Sequence, residues 1–180
     1  MRLIIALLLT INLYADIKQE MFGLYQNKKF EKVCTMGFDN FTQYKRDEEF
    51  VSLYAFACLN SDYIDRLAIP IAVLKFSKES RANSAYFSVI LMQKKLLYHS
   101  LIDGYPLSSF KLPTTDYVLS KVFDLYSQLK DTNKRTFYLF EDPIDPKVTY
   151  KLYIEKDYKI SKMVIEEYYD TILIKRHVYW

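Results

Sequence analysis

The chain has 180 residues, a formal net charge of +3 and 51% hydrophobic residues, with only three glycines. This composition excludes an intrinsically disordered chain, and so small a charge without a concentrated Lys/Arg face argues against nucleic-acid binding. A chain of this length can bury one substantial core, or one helical array with a small appendage.

The first 15 residues, MRLIIALLLTINLYA, predict a secretory signal peptide. One basic residue, Arg2, precedes an apolar run from Leu3 to Leu9, and the small residue Ala15 stands before Asp16. We expect cleavage after Ala15 and export of the mature chain. The alternative is a buried or membrane-anchoring helix, although the run is short of the roughly 20 apolar residues that span a bilayer.

Residues 16–104 have the pattern of helices joined by short polar turns. Apolar side chains recur at helical spacing before the turn QNKK and again after it, which predicts a helical hairpin. The stretch RDEEFVSLYAFACLNSDYIDRLAIPIAVLKFS predicts a second hairpin, with Asp47 capping its first helix. Pro70 should kink the second helix of this hairpin or mark its start.

Small or apolar residues recur at an offset of 34 residues in this region. The pairs include Met21 and Ala55, Gly23 and Ala57, Phe30 and Ile64, and Val33 and Leu67. With the segment LYQNKKFEKV, residues 24–33, this period resembles the tetratricopeptide repeat, whose units are pairs of antiparallel helices. The resemblance implies a stacked helical array that binds proteins, although Val33 and Leu67 replace a small residue of the family pattern. An irregular helical bundle with an accidental period is the alternative.

The resemblance also implies where a partner would bind. In such an array the first helices of the units line the concave face. Residues of those helices that the core does not use include Glu20, Tyr54, Tyr86 and Gln93. We expect them to form a partner-binding groove for an extended peptide or a helix, with a merely solvated helix face as the alternative.

The chain has two cysteines, Cys34 and Cys58. If residues 31–44 and 47–60 form antiparallel helices joined near Lys45, the two cysteines lie at the same height. In an oxidising compartment this arrangement favours a disulfide between the two helices. Two unpaired core cysteines are the alternative, because a buried thiol behaves as a small hydrophobic group.

The last third of the chain changes character. Residues 105–115, with two prolines, predict a connector, and Asp116 opens a further helix. Four runs rich in Thr, Tyr, Ile and Val then predict an antiparallel meander of three or four strands. Residues 116–180 should therefore form a helix plus a sheet that packs one face on it, since a small isolated sheet is marginal in water. We expect Trp180 to cover this sheet; the alternative is that the terminal strand pairs with another chain. The predicted fold class is α+β.

No pattern in the sequence indicates catalysis or a cofactor. The two histidines, His99 and His177, have no second His or Cys at metal-ligand spacing. The three glycines are too scattered to form a phosphate-binding loop. We therefore expect no enzyme activity, no cofactor and no metal site.

These features predict an exported, periplasmic scaffold that binds one or more envelope proteins through its helical-repeat surface. By analogy, small exported repeat proteins look like accessory parts of envelope machines such as the flagellar motor. We expect no stable membrane insertion after signal cleavage. Two alternatives stay open: a periplasmic carrier or chaperone for a lipid or apolar segment, and an envelope hydrolase with an unrecognised site.

Overall fold

A computed structural model describes residues 16–129, 135–156 and 158–180 of the chain. The predicted signal peptide, residues 1–15, lies outside the described residues. The described residues form α-helices and a four-stranded antiparallel sheet, so the predicted α+β class is confirmed. They divide into two compact units with the border between Ser84 and Ala85. We call residues 16–84 the helical unit and residues 85–180 the sheet unit.

Short helices build the helical unit. They are α1 (Asp16–Gln26), α2 (Phe30–Asp39), α3 (Phe41–Tyr44), α4 (Glu48–Asn60), a 3₁₀ helix (Ile64–Leu67), α5 (Ala68–Val73) and the first residues of α6 (Lys78–Asp103). As predicted, polar turns follow α1 and α4, and Asp47 caps α4 by accepting hydrogen bonds from the backbone N–H groups of Glu49 and Phe50. The turns each contain a residue with positive φ, Lys28 and Asp62.

Helix α4 is the centre of the helical unit. Its sequence is apolar almost all round, as expected of a helix enclosed by others, and it packs against α1, α2, α3, the 3₁₀ helix and α5. Its buried residues are Phe50, Val51, Tyr54, Ala55, Ala57, Cys58 and Leu59. Burial of these side chains supplies much of the hydrophobic stabilisation of the unit.

The later helices depart from a regular series of hairpins. Pro70 lies in the first turn of α5, where a missing N–H is tolerated, so the prediction that it marks a helix start is confirmed. Helix α6 runs without interruption for 26 residues through the border of the two units. No described helix is both long enough and apolar enough to cross a bilayer.

The sheet unit contains the rest of α6, then α7 (Val118–Ser127) and four strands. The strands are β1 (Phe137–Glu141), β2 (Val148–Lys156), β3 (Ser161–Tyr169) and β4 (Ile172–Tyr179). Their order in the sheet is β1-β2-β3-β4 and every neighbouring pair is antiparallel, which confirms the predicted meander. The predicted connector, residues 105–115, contains no helix or strand.

Helix α7 packs on one face of the sheet, as the sequence predicts. The buried side chains of α7 include Leu119, Val122 and Phe123. The ring of Tyr126 meets the ring of Tyr138 on β1 edge to face, with 5.0 Å between centroids. A small sheet of this kind is stabilised by such a helix because the contact removes one of its faces from water.

The expected burial of Trp180 is wrong. The side chain of Trp180 is 50% exposed, whereas Tyr179 and His177 are buried. Alternate residues of a strand point to opposite faces, so Tyr179 and His177 share the covered face and the residue beyond them does not. Tyr179 is therefore the aromatic residue that fills this end of the sheet unit.

Candidate functional site

Two of the four residues predicted to form a partner-binding groove are buried. Glu20 is exposed and forms an ion pair with Lys32 at 3.7 Å. Tyr86 is half-buried, and its hydroxyl donates to Asp116 at 2.8 Å. Tyr54 and Gln93 are completely buried, so the expectation that they are open to a partner is wrong.

Tyr54 is buried because α2 and α4 approach each other closely. Its ring lies directly on Gly37 of α2, where an added Cβ atom would come within 2.5 Å of Tyr54 Cδ2. Only glycine leaves room for the ring there. Gln93 is likewise an interior residue of the sheet unit, and its amide nitrogen donates to the main-chain oxygen of Pro113 at 3.1 Å.

The predicted disulfide is confirmed. Cys34 of α2 and Cys58 of α4 are joined, with 4.7 Å between their Cα atoms, and both are buried. The bond links the helices that Gly37 and Tyr54 hold in contact. The core of the helical unit is thus cross-linked at its centre.

A short loop of the helical unit, residues 74–77, presents an aromatic side chain to solvent. Phe76 is 72% exposed, while its neighbour Leu74 is buried and anchors the loop. Ser77 accepts a hydrogen bond from the N–H of Ser80 at 3.0 Å and so caps the start of α6. We call residues 74–77 the Phe76 loop.

The backbone of the Phe76 loop is held by two charged side chains. The carboxylate of Glu48, at the start of α4, accepts hydrogen bonds from the N–H groups of Lys75, Phe76 and Ser77 at 2.8 to 2.9 Å. The guanidinium of Arg81 donates to the main-chain oxygens of Phe76 and Lys75 at 2.6 and 3.2 Å. Five charge-assisted hydrogen bonds therefore fix three consecutive residues.

The hydrogen bonds from the Phe76 loop also affect the pKa of Glu48. The hydrogen bonds from the N–H groups of Phe76, Ser77 and Lys75 lower the pKa of Glu48 from 4.5 to about 2. Hydrogen bonds to a carboxylate favour its charged form, because the neutral acid would give up acceptors. The loop is therefore held by an ionised Glu48 throughout the physiological pH range.

Two lysines lie close to Phe76 in the chain, and one of them contacts its ring. The ammonium of Lys75 lies 5.4 Å from the ring centroid, and Lys78 is exposed on the first turn of α6. An exposed aromatic ring beside lysines complements an apolar pocket that is bordered by carboxylates.

Sequence reasoning missed the Phe76 loop. The available signal was the segment LKFSKES, in which an aromatic residue stands between two lysines just before a serine that can cap a helix. A large apolar residue in so polar a segment is a candidate contact residue. The partner of Glu48 could not be read from sequence, because 27 residues separate Glu48 from Lys75.

The sheet unit contains a separate cavity of about 500 Å³. Its lining residues are Leu101, Arg135, Thr136, Tyr138, Tyr153, Ile154 and Lys156. The described lining has two cationic side chains and no acidic one. A pocket with this lining suits a small ligand with an apolar body and an anionic group.

The two histidines are both paired with carboxylates. His99 lies 2.8 Å from Asp103 on the exposed surface of α6, and its ring stacks on Tyr105. His177 is buried, and its Nε2 lies 2.7 Å from Oε1 of Glu167 on the neighbouring strand. Among the residues that the structure describes, no group of three His, Cys, Asp or Glu side chains could hold a metal ion.

No family model, curated protein or solved structure matches this chain.

Proposed function

We propose that the protein is an exported interaction protein whose helical unit binds a partner protein through the Phe76 loop. The partner surface is an apolar pocket bordered by acidic side chains, which receives the Phe76 ring beside Lys75 and Lys78. The observation that carries the proposal is a largely exposed aromatic side chain on a backbone that Glu48 and Arg81 hold in place.

Preorganisation is the physical reason that this loop suits binding. Ordering a loop on association costs free energy, and a loop that is already ordered avoids that cost. Buried aromatic side chains also supply much of the binding energy at protein interfaces. An ionised glutamate and an arginine both hold the backbone of this loop, although its largest side chain faces solvent. A turn that only connects two helices does not require so many charged contacts.

We propose further that the helical unit is a short tetratricopeptide-like array. Support comes from the two turns, whose backbone hydrogen bonds repeat at the offset of 34 residues. Three N–H groups of the first turn are bonded as Asn27 to Gly23, Lys28 to Tyr25 and Lys29 to Leu24. In the second turn the pairs are Ser61 to Ala57, Asp62 to Leu59 and Tyr63 to Cys58, and each number is higher by 34.

Backbone conformation and side-chain burial support the same repeat. Lys28 and Asp62, the residues with positive φ in the two turns, are equivalent at this offset. The equivalent pairs Met21 and Ala55, and Val33 and Leu67, are all fully buried. Two hairpins with matching turns and matching core positions are what a stacked helical repeat requires.

A periplasmic location is part of the proposal. The disulfide between Cys34 and Cys58 supports it, since such bonds persist in oxidising compartments. The apolar N-terminal run that ends at Ala15 supports it as well. Within the envelope, the protein would act as an accessory part of a larger machine, the flagellar motor being one candidate.

Affinity capture from envelope fractions tests the binding site. The baits are the unchanged protein, Phe76→Ser, and Phe22→Ser as a control on another exposed phenylalanine of the same unit. We expect a partner that the unchanged protein and the control retain and that Phe76→Ser loses, with an affinity at least about 30-fold weaker. Equal capture by all three proteins contradicts the assignment of the site.

A third variant tests the preorganisation argument. Glu48→Gln keeps the Phe76 ring and removes the charge that holds the loop. We expect weaker binding than for the unchanged protein and stronger binding than for Phe76→Ser. The loss should appear mainly in the association rate constant, because the loop must then become ordered on binding. Unchanged affinity of this variant would show that the hydrogen bonds from Glu48 to the loop do not matter for binding.

The cavity of the sheet unit favours a second candidate function, carriage of a small amphipathic anion. The cavity of about 500 Å³ combines Leu101 and Ile154 with the cations Arg135 and Lys156. Native mass spectrometry of protein from its own cells tests this candidate. A bound lipid-like anion that Arg135→Gln loses supports it, and a ligand-free spectrum for the unchanged protein argues against it.

A further inference from the structure

An arginine contacts the disulfide of the helical unit. Nη1 of Arg66, on the 3₁₀ helix, donates to Sγ of Cys34 at 3.4 Å. This is the one side-chain hydrogen bond of Arg66 among the residues that the structure describes, and no described carboxylate forms an ion pair with it. Arg66 is half-buried, whereas Cys34 and Cys58 are fully buried. A guanidinium that lacks an anionic partner therefore faces a sulfur atom inside the unit.

Two aromatic rings hold Arg66 in this position. Its guanidinium carbon lies 5.0 Å from the ring centroid of Phe38 on α2 and 4.8 Å from that of Tyr63, which precedes the 3₁₀ helix. A ring within about 6 Å stabilises a cation without neutralising it. The nearby carboxylate of Glu31 instead accepts a hydrogen bond from the hydroxyl of Tyr63 at 2.7 Å. The positive charge of Arg66 therefore stays available to the sulfur.

The charge of Arg66 acts inside the core. Burial raises the pKa of Tyr54, and the charge of Arg66 opposes that shift. The hydroxyl of Tyr54 is buried and has no hydrogen-bond partner among the described residues, so solvent screens a charge only weakly in these surroundings. Arg66 should act at least as strongly on a charge at Cys34, because it contacts that side chain directly.

We propose that Cys34 and Cys58 form a redox-active pair, in which Arg66 stabilises the thiolate that Cys34 carries after reduction. In the oxidised pair, Arg66 donates to a neutral sulfur, which is a weak acceptor. In the reduced pair the same donor meets an anion, and hydrogen bonds between ionised groups are the strong ones. Arg66 therefore favours the reduced form over the disulfide and lowers the pKa of the Cys34 thiol.

The reductant in this exchange is a dithiol. Its thiolate attacks Sγ of Cys58, the bond between the two cysteines breaks, and the electron pair leaves on Cys34 as the thiolate that Arg66 holds. The second thiol of the reductant then loses its proton, attacks the reductant's own sulfur in the mixed disulfide and expels Cys58, which takes up a proton. The dithiol is oxidised to a disulfide and the pair gains two electrons. Both sulfurs are buried, so local opening of the unit sets the rate, whereas Arg66 shifts the equilibrium.

Equilibration of the purified protein with mixtures of reduced and oxidised dithiothreitol tests the proposal. Alkylation and mass spectrometry measure the reduced fraction, and circular dichroism verifies that each variant is folded. Arg66→Met removes the charge and keeps an apolar side chain. It should lower the equilibrium constant for reduction about tenfold, which equals about 30 mV for two electrons. Arg66→Lys should lower it less, because the charge stays. Arg46→Met, the control on an exposed arginine of the same unit, should leave it unchanged.

The pH dependence of the same equilibrium separates an effect of charge from an effect of packing. Reduction takes up two protons below the pKa of Cys34 and one proton above it. In the unchanged protein this change should occur below about pH 8.5, the ordinary pKa of a thiol, and in Arg66→Met it should occur at a higher pH. Loss of packing alone would not move it.

Single-cysteine variants locate the thiolate. In Cys58→Ser, the remaining Cys34 should titrate at a lower pH than the remaining Cys58 does in Cys34→Ser, because the hydrogen bond from Arg66 goes to Cys34. Ultraviolet absorbance of the thiolate measures both pKa values. A pKa of Cys34 at or above that of Cys58 overturns the proposal. An equilibrium constant that Arg66→Met lowers no more than Arg46→Met does also overturns it. If a single-cysteine variant fails to fold, the pH dependence of the equilibrium decides.

Discussion

The helical unit and the sheet unit are stabilised by different chemistry. In the helical unit, a disulfide and a glycine–tyrosine contact hold α2 against the apolar helix α4. In the sheet unit, buried polar groups are held by short hydrogen bonds across β-strands and turns. Short helices bury limited area and gain from a covalent bond, whereas a sheet with four strands already carries a continuous backbone ladder.

Asp142 illustrates the polar chemistry of the sheet unit. Its carboxylate is buried after β1 and accepts hydrogen bonds from the hydroxyl of Tyr150 at 2.6 Å, the ammonium of Lys121 at 3.2 Å and the N–H of Ile144 at 2.9 Å. The hydrogen bond from Tyr150, the largest cause, holds the pKa of Asp142 well below its usual range. Burial of the ring is the main cause that raises the pKa of Tyr150, and the carboxylate of Asp142 raises it further.

The largest expected effect comes from removing the disulfide. Cys34→Ser should lower the free energy of unfolding by about 3 to 4 kcal/mol, because the unfolded chain regains the freedom of the loop that the bond closes. Cys58→Ser and the double variant should lose the same amount, since all three remove one constraint. Chemical denaturation measures the three losses, and additive single losses would contradict a shared bond.

A smaller effect should follow from filling the space at Gly37. Gly37→Ala places a Cβ atom against the ring of Tyr54, and we expect a loss of about 2 kcal/mol from overpacking. Gly23→Ala is the matched control in α1, because nothing lies within 4 Å of its added Cβ atom. The control should gain up to about 1 kcal/mol through helix propensity. Equal effects of the two changes would mean that α2 and α4 are not in close contact.

The corresponding change in the sheet unit is Tyr150→Phe. It removes the shortest hydrogen bond to the buried Asp142, and we expect a loss of about 1.5 kcal/mol. Tyr153→Phe is the matched control on the other face of β2, because the half-buried Tyr153 donates to Glu166 of β3, which keeps its hydrogen bond from Tyr168. Thermal unfolding compares the two variants. A larger loss for the control would show that Asp142 does not organise this unit.

The smallest effect concerns pH and the helical unit. Because the folded pKa of Glu48 is about 2 and its ordinary value is 4.5, this group stabilises the fold fully above pH 4.5. Its contribution should decline as the pH falls from 4.5 towards 2. Glu48→Gln should reduce the slope of stability against pH in this window. An identical slope in both proteins would contradict the hydrogen bonds to the Phe76 loop.

The sequence was informative where a pattern is local. The alternation of Tyr150, Leu152 and Ile154 predicted β2, and the polar turns predicted the helix boundaries near Lys28 and Asp62. The disulfide was predictable because both cysteines lie at the same height on adjacent antiparallel helices. In each case, residues close in sequence, or related by one helical hairpin, decide the structure.

The candidate site was less predictable because burial depends on neighbours distant in sequence. Tyr54 has helical spacing consistent with a surface position, but α2 covers it at Gly37. Gln93 is polar yet buried, since the connector supplies a carbonyl acceptor at Pro113. The conformation of the Phe76 loop depends on Glu48. No local sequence pattern indicates that a carboxylate 27 residues away binds its backbone.

Photo-crosslinking in the native cell tests the central proposal, that the helical unit binds its partner through Phe76. A photoreactive phenylalanine analogue replaces Phe76 in one strain and Phe22 in a matched control strain, and mass spectrometry identifies the attached protein. We expect one dominant crosslinked envelope protein at position 76, at much higher yield than at position 22. No crosslink at position 76, or equal yields of the same products at both positions, would contradict it.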